Sequence, residues 1–346
     1  MPRPCPMNLT QTRTARPGFQ ASRKRSFQAR MQQSIRWTSG NNKNKIKPET
    51  FLKYLKEEGF FPVKHFLLTL FFFCILPMLF FAGGEKACAA GDNVAEAANP
   101  CSASSPSALL SLLDRPTFSD SACAAPLGHA VLELGFMHAS VRGEGGGTAD
   151  NYPEAELRFG LPGSNEFKIL APDYNSQRAG VPEEATSGLS ATAIGFKHEL
   201  GYTGKWLGSV EAILTLPSGN DAFGSRGPGA TFNAIAACSL TDQIGLSFQL
   251  GVSSQTDPVS QGGGRFTSFN QFFTATWDPA ERLQFYGEFY GQTKTASDEG
   301  SGYNFDGGIQ YLVFRWWEVD AEEGVRLTGS LGGFTHYYGA GMGFLF

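Results

Sequence analysis

Apolar and polar residues alternate along most of the chain after residue 128. Between Gln243 and Val252, apolar residues occupy every even position, and polar residues or glycine occupy every odd position. A similar alternation recurs at 154–161, 282–290 and 317–322. Side chains of an extended chain point alternately to opposite faces, so this period of two predicts β-strands that each have one apolar face.

The links between the predicted strands alternate between long and short. GEGGGTADNYP and PSGNDAFGSRGPG are long, whereas PGSN, TD and DPAE are short. Long outer loops and short periplasmic turns are typical of a transmembrane antiparallel β-barrel, whereas a soluble sandwich shares only the alternation. We predict an all-β barrel of twelve strands with both termini on the periplasmic side. The predicted strands cover residues 129–141, 154–161, 165–172, 188–200, 206–216, 229–240, 243–254, 265–277, 282–293, 303–313, 317–326 and 335–346.

The two faces of the predicted barrel follow from the medium on each side. Lipid offers no hydrogen bonds, so a membrane-spanning sheet closes on itself and turns its apolar face outward. The polar residues of each strand then face the lumen, where each is either a solvated wall residue or a contact for a solute. The predicted lumen-lining residues are Glu156, Arg158, Lys197, Glu199, Glu211, Gln249, Tyr286, Glu288, Tyr290, Gln310, Glu318, Asp320 and Glu322.

The last predicted strand, 335–346, ends in an aromatic residue. Tyr338, Met342, Phe344 and Phe346 share one face of this strand, and glycines share the other. A terminal strand of this kind with a final Phe is typical of the signal that the barrel assembly machinery of bacterial outer membranes recognises. We therefore expect this machinery and outer-membrane lipid as partners.

An apolar segment early in the chain has the layout of an export signal. A short basic flank precedes an apolar run at 66–82, and Ala87-Cys88-Ala89 supplies the small residues of a cleavage site. We predict a secretory signal at 63–89, for which a transmembrane helix is the alternative. Residues 1–62 are basic and polar, so they form either a disordered extension or, as we favour, a stretch ahead of a translation start at Val63.

Charge divides the chain at this predicted cleavage site. Residues 1–89 carry 15 Lys and Arg against 4 Asp and Glu, whereas residues 90–346 carry 13 against 28. The mature chain is therefore strongly acidic, and we do not expect it to bind nucleic acid, whose phosphates require a basic surface. We divide it into a periplasmic segment or plug at 90–128 and a barrel at 129–346.

Three cysteines remain after the predicted cleavage. Cys101 and Cys123 lie in the same leading segment, where they could form a disulfide in an oxidising periplasm or remain two thiols. Metal-ligand spacing is absent, and the glycine-rich stretches at 143–147 and 261–264 lack the helix and lysine of a phosphate-binding loop. The sequence therefore predicts no metal and no cofactor.

Several short motifs resemble one known family. They are Leu113–Cys123, Ala155–Leu161, Gly195–Lys197, Leu214–Gly219 and Phe305–Tyr311. In this order and spacing, they resemble the bacterial outer-membrane transporter family named for the MetA pathway of phenol degradation, over about residues 112–346. Two motifs differ mildly, with Arg-Phe-Gly where the family has Arg-Tyr-Gly and Leu-Pro-Ser-Gly where it has Leu-Pro-Thr-Gly. The resemblance implies an outer-membrane barrel that passes small, often hydrophobic or aromatic compounds.

Three functions remain open for a barrel of this kind. Passive or facilitated passage of a small-molecule solute is the function we favour, because twelve strands enclose a narrow lumen. An outer-membrane hydrolase is the second possibility, but no Gly-x-Ser-x-Gly motif is present and no catalytic residue is predicted. The third is a structural or adhesive barrel that works through its outer loops.

Overall fold

The computed structural model describes residues 99–105, 107–141, 146–179 and 184–346. The predicted extension at 1–62 and the predicted signal at 63–89 lie outside the described residues. The predicted leading segment at 90–128 is described from Asn99 onward, apart from residue 106.

The described chain consists almost entirely of strands. A short helix, α1 (Ala108–Leu112), precedes them, and a single 3-10 turn covers Val259–Gln261. The strands are β1 (Ala130–Val141), β2 (Gly147–Tyr152), β3 (Glu156–Leu161), β4 (Asn165–Leu170), β5 (Tyr174–Ala179), β6 (Glu184–Leu189), β7 (Ala193–Thr203), β8 (Trp206–Thr215), β9 (Gly229–Ser239), β10 (Ile244–Thr256), β11 (Arg265–Ala280), β12 (Leu283–Gln292), β13 (Gly302–Phe314), β14 (Trp317–Thr328) and β15 (Phe334–Leu345).

Twelve of these strands form a closed antiparallel barrel. Sequential strands pair from β7 to β15, and β4, β3 and β1 continue the sheet in that order. β15 then pairs with β1, from Val131 opposite Leu345 to Val141 opposite Phe334. Closure removes the free sheet edges that lipid would leave without hydrogen bonds. The predicted fold, an antiparallel barrel of twelve strands, is confirmed.

The remaining strands, β2, β5 and β6, extend one side of the wall. β2 pairs with β1 and β5, and β5 pairs with β6. β2 leads into β3, β4 into β5 and β6 into β7 through three-residue breaks at 153–155, 171–173 and 190–192. The long loops predicted over most of this region are wrong, because β2, β5 and β6 occupy it. GTADNY, YNSQRA and EATSGL are largely polar on both faces, so no apolar alternation marks them as strands.

The connections distinguish the two ends of the barrel. The short turns between β3 and β4, β7 and β8, β9 and β10, β11 and β12, and β13 and β14 lie at one end, which we call the turn end. The first residue of β1 lies there too, because the Ala130 amide donates to the Phe346 carbonyl. The longer connections lie at the opposite end, the loop end. That the turn end faces the periplasm stays a prediction.

The outer face of the barrel is apolar. Phe232, Trp277, Phe305 and Tyr311 are among the large side chains exposed there. Within the described residues, no helix has the length and hydropathy needed to cross a bilayer.

The leading segment lies inside the barrel. Residues 99–105 and 107–127, which we call the plug, include α1 and the Cys101–Cys123 disulfide. Leu109 and Leu112 of α1 are completely buried. They belong to two small apolar clusters in which the plug packs against wall side chains of the turn end, and these wall side chains are Val131, Leu207, Ile235 and Leu312. The wall is therefore folded around the segment that precedes its first strand.

Candidate functional site in the barrel interior

The plug is held by wall side chains that accept hydrogen bonds from its backbone. These acceptors come from β1, β4, β10 and β12, so they surround the plug rather than line one side of it. The bonds are Arg115 N to Glu133 Oε2 at 2.7 Å, Ala125 N to Glu166 Oε2 at 2.6 Å, Asp120 N to Gln249 Oε1 at 2.7 Å and Phe118 N to Glu288 Oε2 at 2.7 Å.

A buried lysine joins the plug to the wall on one side. Lys168 Nζ lies 2.8 Å from Asp114 Oδ2, 2.9 Å from Asp120 Oδ1 and 2.7 Å from Glu211 Oε1. These carboxylates converge closely enough to suggest a metal site. The ammonium group lies within hydrogen-bonding distance of all three, so their negative charge already has a partner.

Opposite charges determine the ionisation of the two plug carboxylates. Burial opposes ionisation of Asp114, but Arg158, Lys168 and Lys197 hold its pKa well below its usual value. Burial also opposes ionisation of Asp120, and Lys168 lowers its pKa despite the repulsion from Asp114. Both plug carboxylates are therefore charged at neutral pH.

Arg158 links the wall to the plug backbone. Its side chain is completely buried and donates to the carbonyl oxygens of Leu112 and Cys123. It also pairs with Glu133 at 3.0 Å and Glu166 at 2.8 Å, two of the carboxylates that hold the plug amides. The Arg158 guanidinium therefore balances the negative charge of two carboxylates that accept hydrogen bonds from the plug backbone.

Arg115 is the plug residue that faces the other side of the barrel. Its guanidinium pairs with Glu154, with Asp320 at 3.2 Å and with Glu322 at 3.4 Å. Burial opposes its charge, but the neighbouring carboxylates, with Asp320 foremost, raise its pKa. It lies against β1 and β15 where Gly135 and Gly341 have no side chain.

An aromatic cluster lies beside Arg115. The Phe118 ring of the plug stacks on Tyr290 with centroids 4.3 Å apart and meets Tyr337 edge-on at 5.8 Å. Tyr337 donates its hydroxyl to Asp306 Oδ2 at 2.7 Å. Phe118 is 39% exposed although it lies inside the barrel, whereas Tyr290 and Tyr337 are buried. The plug therefore presents an accessible aromatic ring within the interior.

The thirteen residues that we predicted to line the lumen lie on inward-facing strand positions. All are at most 8% exposed except Glu156, which is partly buried. They come together around the plug, where Arg158, Lys197, Gln249, Glu288 and Gln310 contact it directly. Where the plug lies inside the barrel, it covers these side chains, so they do not face open solvent.

The prediction missed several interior residues. Glu133, Glu166, Lys168 and Asp306 are completely or almost completely buried on the inner face. The alternation of polar and apolar residues would have identified the wall residues, since Glu166 and Lys168 alternate with Phe167 and Ile169. Nothing in the sequence pattern could have matched the plug amides to their acceptors, because these pairs are far apart in the chain.

A polar pair on the outer face was also missed. His138 Nδ1 lies 2.6 Å from Asp150 Oδ1, and the His138 ring contacts Tyr338. Ser140 is two residues further along the same face. The sequence His138-Ala139-Ser140 was the feature from which this pair could have been predicted. Among the described residues, the Ser140 hydroxyl donates no hydrogen bond to this ring.

The four residues of the predicted assembly signal lie at the outer face and at the end of β15. Tyr338, Met342 and Phe346 are exposed, and Phe344 stacks on Trp317 at 6.2 Å. Recognition of this face by the assembly machinery stays a prediction.

The fold is similar to that of solved outer-membrane barrels. The COG4313 outer membrane channel from Pseudomonas putida F1 superposes with a TM-score of 0.50 at 11% identity, covering 64% of this chain and 97% of that chain. The KdgM porin in complex with disordered oligogalacturonate gives a TM-score of 0.41 at 9% identity, over 62% and 98% of the two chains. The NanC porin gives 0.42 at 10% identity, over 62% and 98%.

Sequence comparison identifies the family. No curated protein sequence matches this chain. A family model matches residues 114–330, which is more than half of the chain and runs from the plug through β14. The chain therefore belongs to the family described as "Putative MetA-pathway of phenol degradation".

Proposed function

We propose that this protein is an outer-membrane channel that passes small hydrophobic or aromatic solutes by passive or facilitated diffusion. The observation that carries the proposal is a closed barrel, apolar outside and charged inside, whose plug leaves the Phe118 ring exposed in the interior. An apolar outer face suits a barrel surrounded by outer-membrane lipid. The predicted signal at 63–89 would export the chain to that membrane.

The plug would set the selectivity of this channel. It fills the turn end with apolar contacts and the middle of the barrel with ion pairs, so a solute meets a narrow path rather than an open pore. Selection would then depend on size and on the chemistry of the inner wall. Family membership supports aromatic solutes, because the family description refers to phenol degradation.

Planar-bilayer recording of the folded protein tests this proposal. We expect small, discrete current steps from protein extracted from outer membranes, and none from the same protein after boiling. Swelling of proteoliposomes in small sugars and in phenol would give a second readout. A folded barrel that produces neither current nor swelling would contradict a channel function.

The His138–Asp150 pair favours hydrolysis of lipid esters as a second candidate function. A carboxylate that orients a histidine is one part of the arrangement used for nucleophilic attack on esters, and Ser140 on the same face would have to move to the ring to complete it. Activity on phosphatidylcholine in mixed micelles should then be abolished by Ser140→Ala and kept by Ser187→Ala, a control at an exposed position of β6. Equal activity of the two variants would rule out this candidate.

A further inference from the structure

The inner wall formed by β12, β13 and β14 has more hydrogen-bond acceptors than donors. Arg115 of the plug pairs with Asp320 and Glu322 of this wall, and Arg326 of β14 lies opposite Asn304. We call this surface the acceptor wall, and its six residues are Glu288, Asn304, Asp306, Glu318, Asp320 and Glu322. On the opposite side, three cations, Arg158, Lys168 and Lys197, lie among the carboxylates.

Several atoms of the acceptor wall lack a partner. Asn304 Oδ1, Asp306 Oδ1 and Glu322 Oε2 accept no hydrogen bond from any described residue, although these three residues are at most 7% exposed. One oxygen of Asp320, Oδ2, shares this state. A buried polar atom without a partner costs about 1–3 kcal/mol, so a ligand that supplies donors here gains that energy.

Aromatic rings lie next to these unpartnered acceptors. Tyr337 is hydrogen-bonded to Asp306, and Tyr290 pairs across the strands with Asn304. The Tyr290 hydroxyl lies beside the side chains of Asn304 and Tyr337, and the residue is 3% exposed. Phe118 stacks on Tyr290 and keeps an accessible part of its ring. Ring surface and free acceptors therefore occur together in one part of the interior.

We propose that Phe118, Tyr290, Tyr337 and the acceptor wall form a binding site for an aromatic ring that bears a hydrogen-bond donor, such as a phenolic or benzylic hydroxyl or an ammonium group. The ring packs against Phe118, and the donor satisfies acceptors near Asn304 and Asp306. Aromatic carboxylates are excluded, because they would bring a negative charge and no donor to a wall of carboxylates. This inference rests on the proposed channel function, since it names the solutes that the channel selects.

Calorimetric titration of the folded protein in detergent tests the site without requiring conductance. The probes are benzylammonium, benzyl alcohol and benzoate, which share one ring and differ in the attached group. We expect heat of binding for the first two and none for benzoate. Equal binding of benzoate would overturn the proposal, as would binding of ammonium as tight as that of benzylammonium, since the ring would then contribute nothing.

Paired variants locate the site. Phe118→Ala should weaken benzylammonium binding about tenfold, which corresponds to a ring contact of about 1.4 kcal/mol. Phe118→Leu, which keeps most of the packing, should weaken it less. Asp306→Asn combined with Glu322→Gln should also reduce binding, whereas the exposed controls Phe269→Ala and Glu323→Gln should not. Unchanged binding in the Phe118→Ala variant would overturn the proposal even if the barrel conducts.

The two proposals fail in different ways. A protein that conducts but does not distinguish benzylammonium from benzoate refutes the binding site and leaves the channel. A protein that binds benzylammonium at Phe118 without conducting refutes the channel function and leaves a binding site inside a barrel. Retention of the folded band on unheated gels shows for each variant that the barrel itself is intact.

Discussion

Gly135 and Gly341 lie directly opposite each other across the seam where β1 closes the barrel against β15. The Arg115 guanidinium occupies the space that a side chain at either position would need. From there it reaches Glu154, Asp320 and Glu322. The seam of the barrel is thus also the docking place for the single plug cation on that side of the described interior.

A methyl group at Gly135 should displace Arg115. The Cβ of Gly135→Ala would overlap with the Arg115 guanidinium and lie 2.5 Å from Glu154 Oε2, so the ion pairs must rearrange. We expect faster hydrogen exchange of plug amides around residue 115, measured by mass spectrometry. Gly287→Ala is the matched control, because its Cβ would lie 3.6 Å from the Phe305 ring, an ordinary contact. Equal exchange in both variants would contradict this account of the seam.

Removal of the Arg115 charge should destabilise the barrel. Arg115→Ala leaves Asp320 and Glu322 buried without their cation, and breaking a buried pair in this way costs about 3–5 kcal/mol. We expect a lower urea midpoint of unfolding in lipid vesicles. Arg115→Lys keeps the charge and should recover part of the loss. A midpoint equal to that of the unaltered protein would show that these carboxylates do not depend on Arg115.

Loss of Glu288 should release the aromatic tip of the plug. Its carboxylate accepts hydrogen bonds from the amides of Phe118 and Ser119 and from the hydroxyls of Ser119 and Thr274. Glu288→Ala should therefore raise amide exchange at 118–119 at least tenfold, since these bonds together contribute more than about 1.4 kcal/mol. Glu288→Gln keeps one acceptor oxygen and should have a smaller effect. Protection that survives the alanine variant would count against this anchor.

The Cys101–Cys123 disulfide should keep the start of the plug in place. It closes a loop with a sequence separation of 22, for which the chain-entropy model gives about 3 kcal/mol. Cys123→Ser, or reduction of the folded protein, should make residues near 101 accessible to proteases from the turn end. Cys238→Ser alters the buried free thiol and should leave cleavage unchanged. Resistance to protease after reduction would show that packing alone holds this segment.

Plug docking should resist mild acid. The pKa of Asp114 lies well below its usual value of 3.8, because Arg158, Lys168 and Lys197 outweigh the effect of burial. A carboxyl group with a lowered folded-state pKa contributes its full stability above the unfolded value and loses it as the pH falls through the folded value. Protection of the plug amides should therefore be constant from pH 7 to about 5 and decline below about 3.8. A decline that begins near pH 6 would point to another group.

Alternation was enough to predict the barrel but not what fills it. The alternation of polar and apolar residues in β10 or β14 indicates which face is turned to lipid, because successive side chains of one strand point to opposite faces. The pattern says nothing about a neighbour far away in the chain, such as the Phe118 amide that Glu288 holds. Most of the residues that were predicted to line an open lumen therefore contact the plug.

The extra strands show a second limit of the pattern. Thr148, Asp150, Ser176 and Arg178 make the outward face of β2 and β5 polar, so these strands lack the contrast on which the prediction relied. Their outward polarity suits a position beyond the lipid, at the loop end. Alternation of polar and apolar residues therefore depends on whether a strand lies within the lipid as well as on whether the segment is a strand.

Three consecutive inward positions of β15, between Tyr337 and Leu345, are Gly339, Gly341 and Gly343, and the space beside them is taken by Glu322, Arg115 and Leu113. Over this stretch the closing strand has an inward surface without side chains of its own. Substitutions in the plug can therefore change the inner surface at the seam, while the sequence of the closing strand, with its aromatic outer side, stays the same. The chemistry of this part of the interior is thus encoded outside the strand that completes the cylinder.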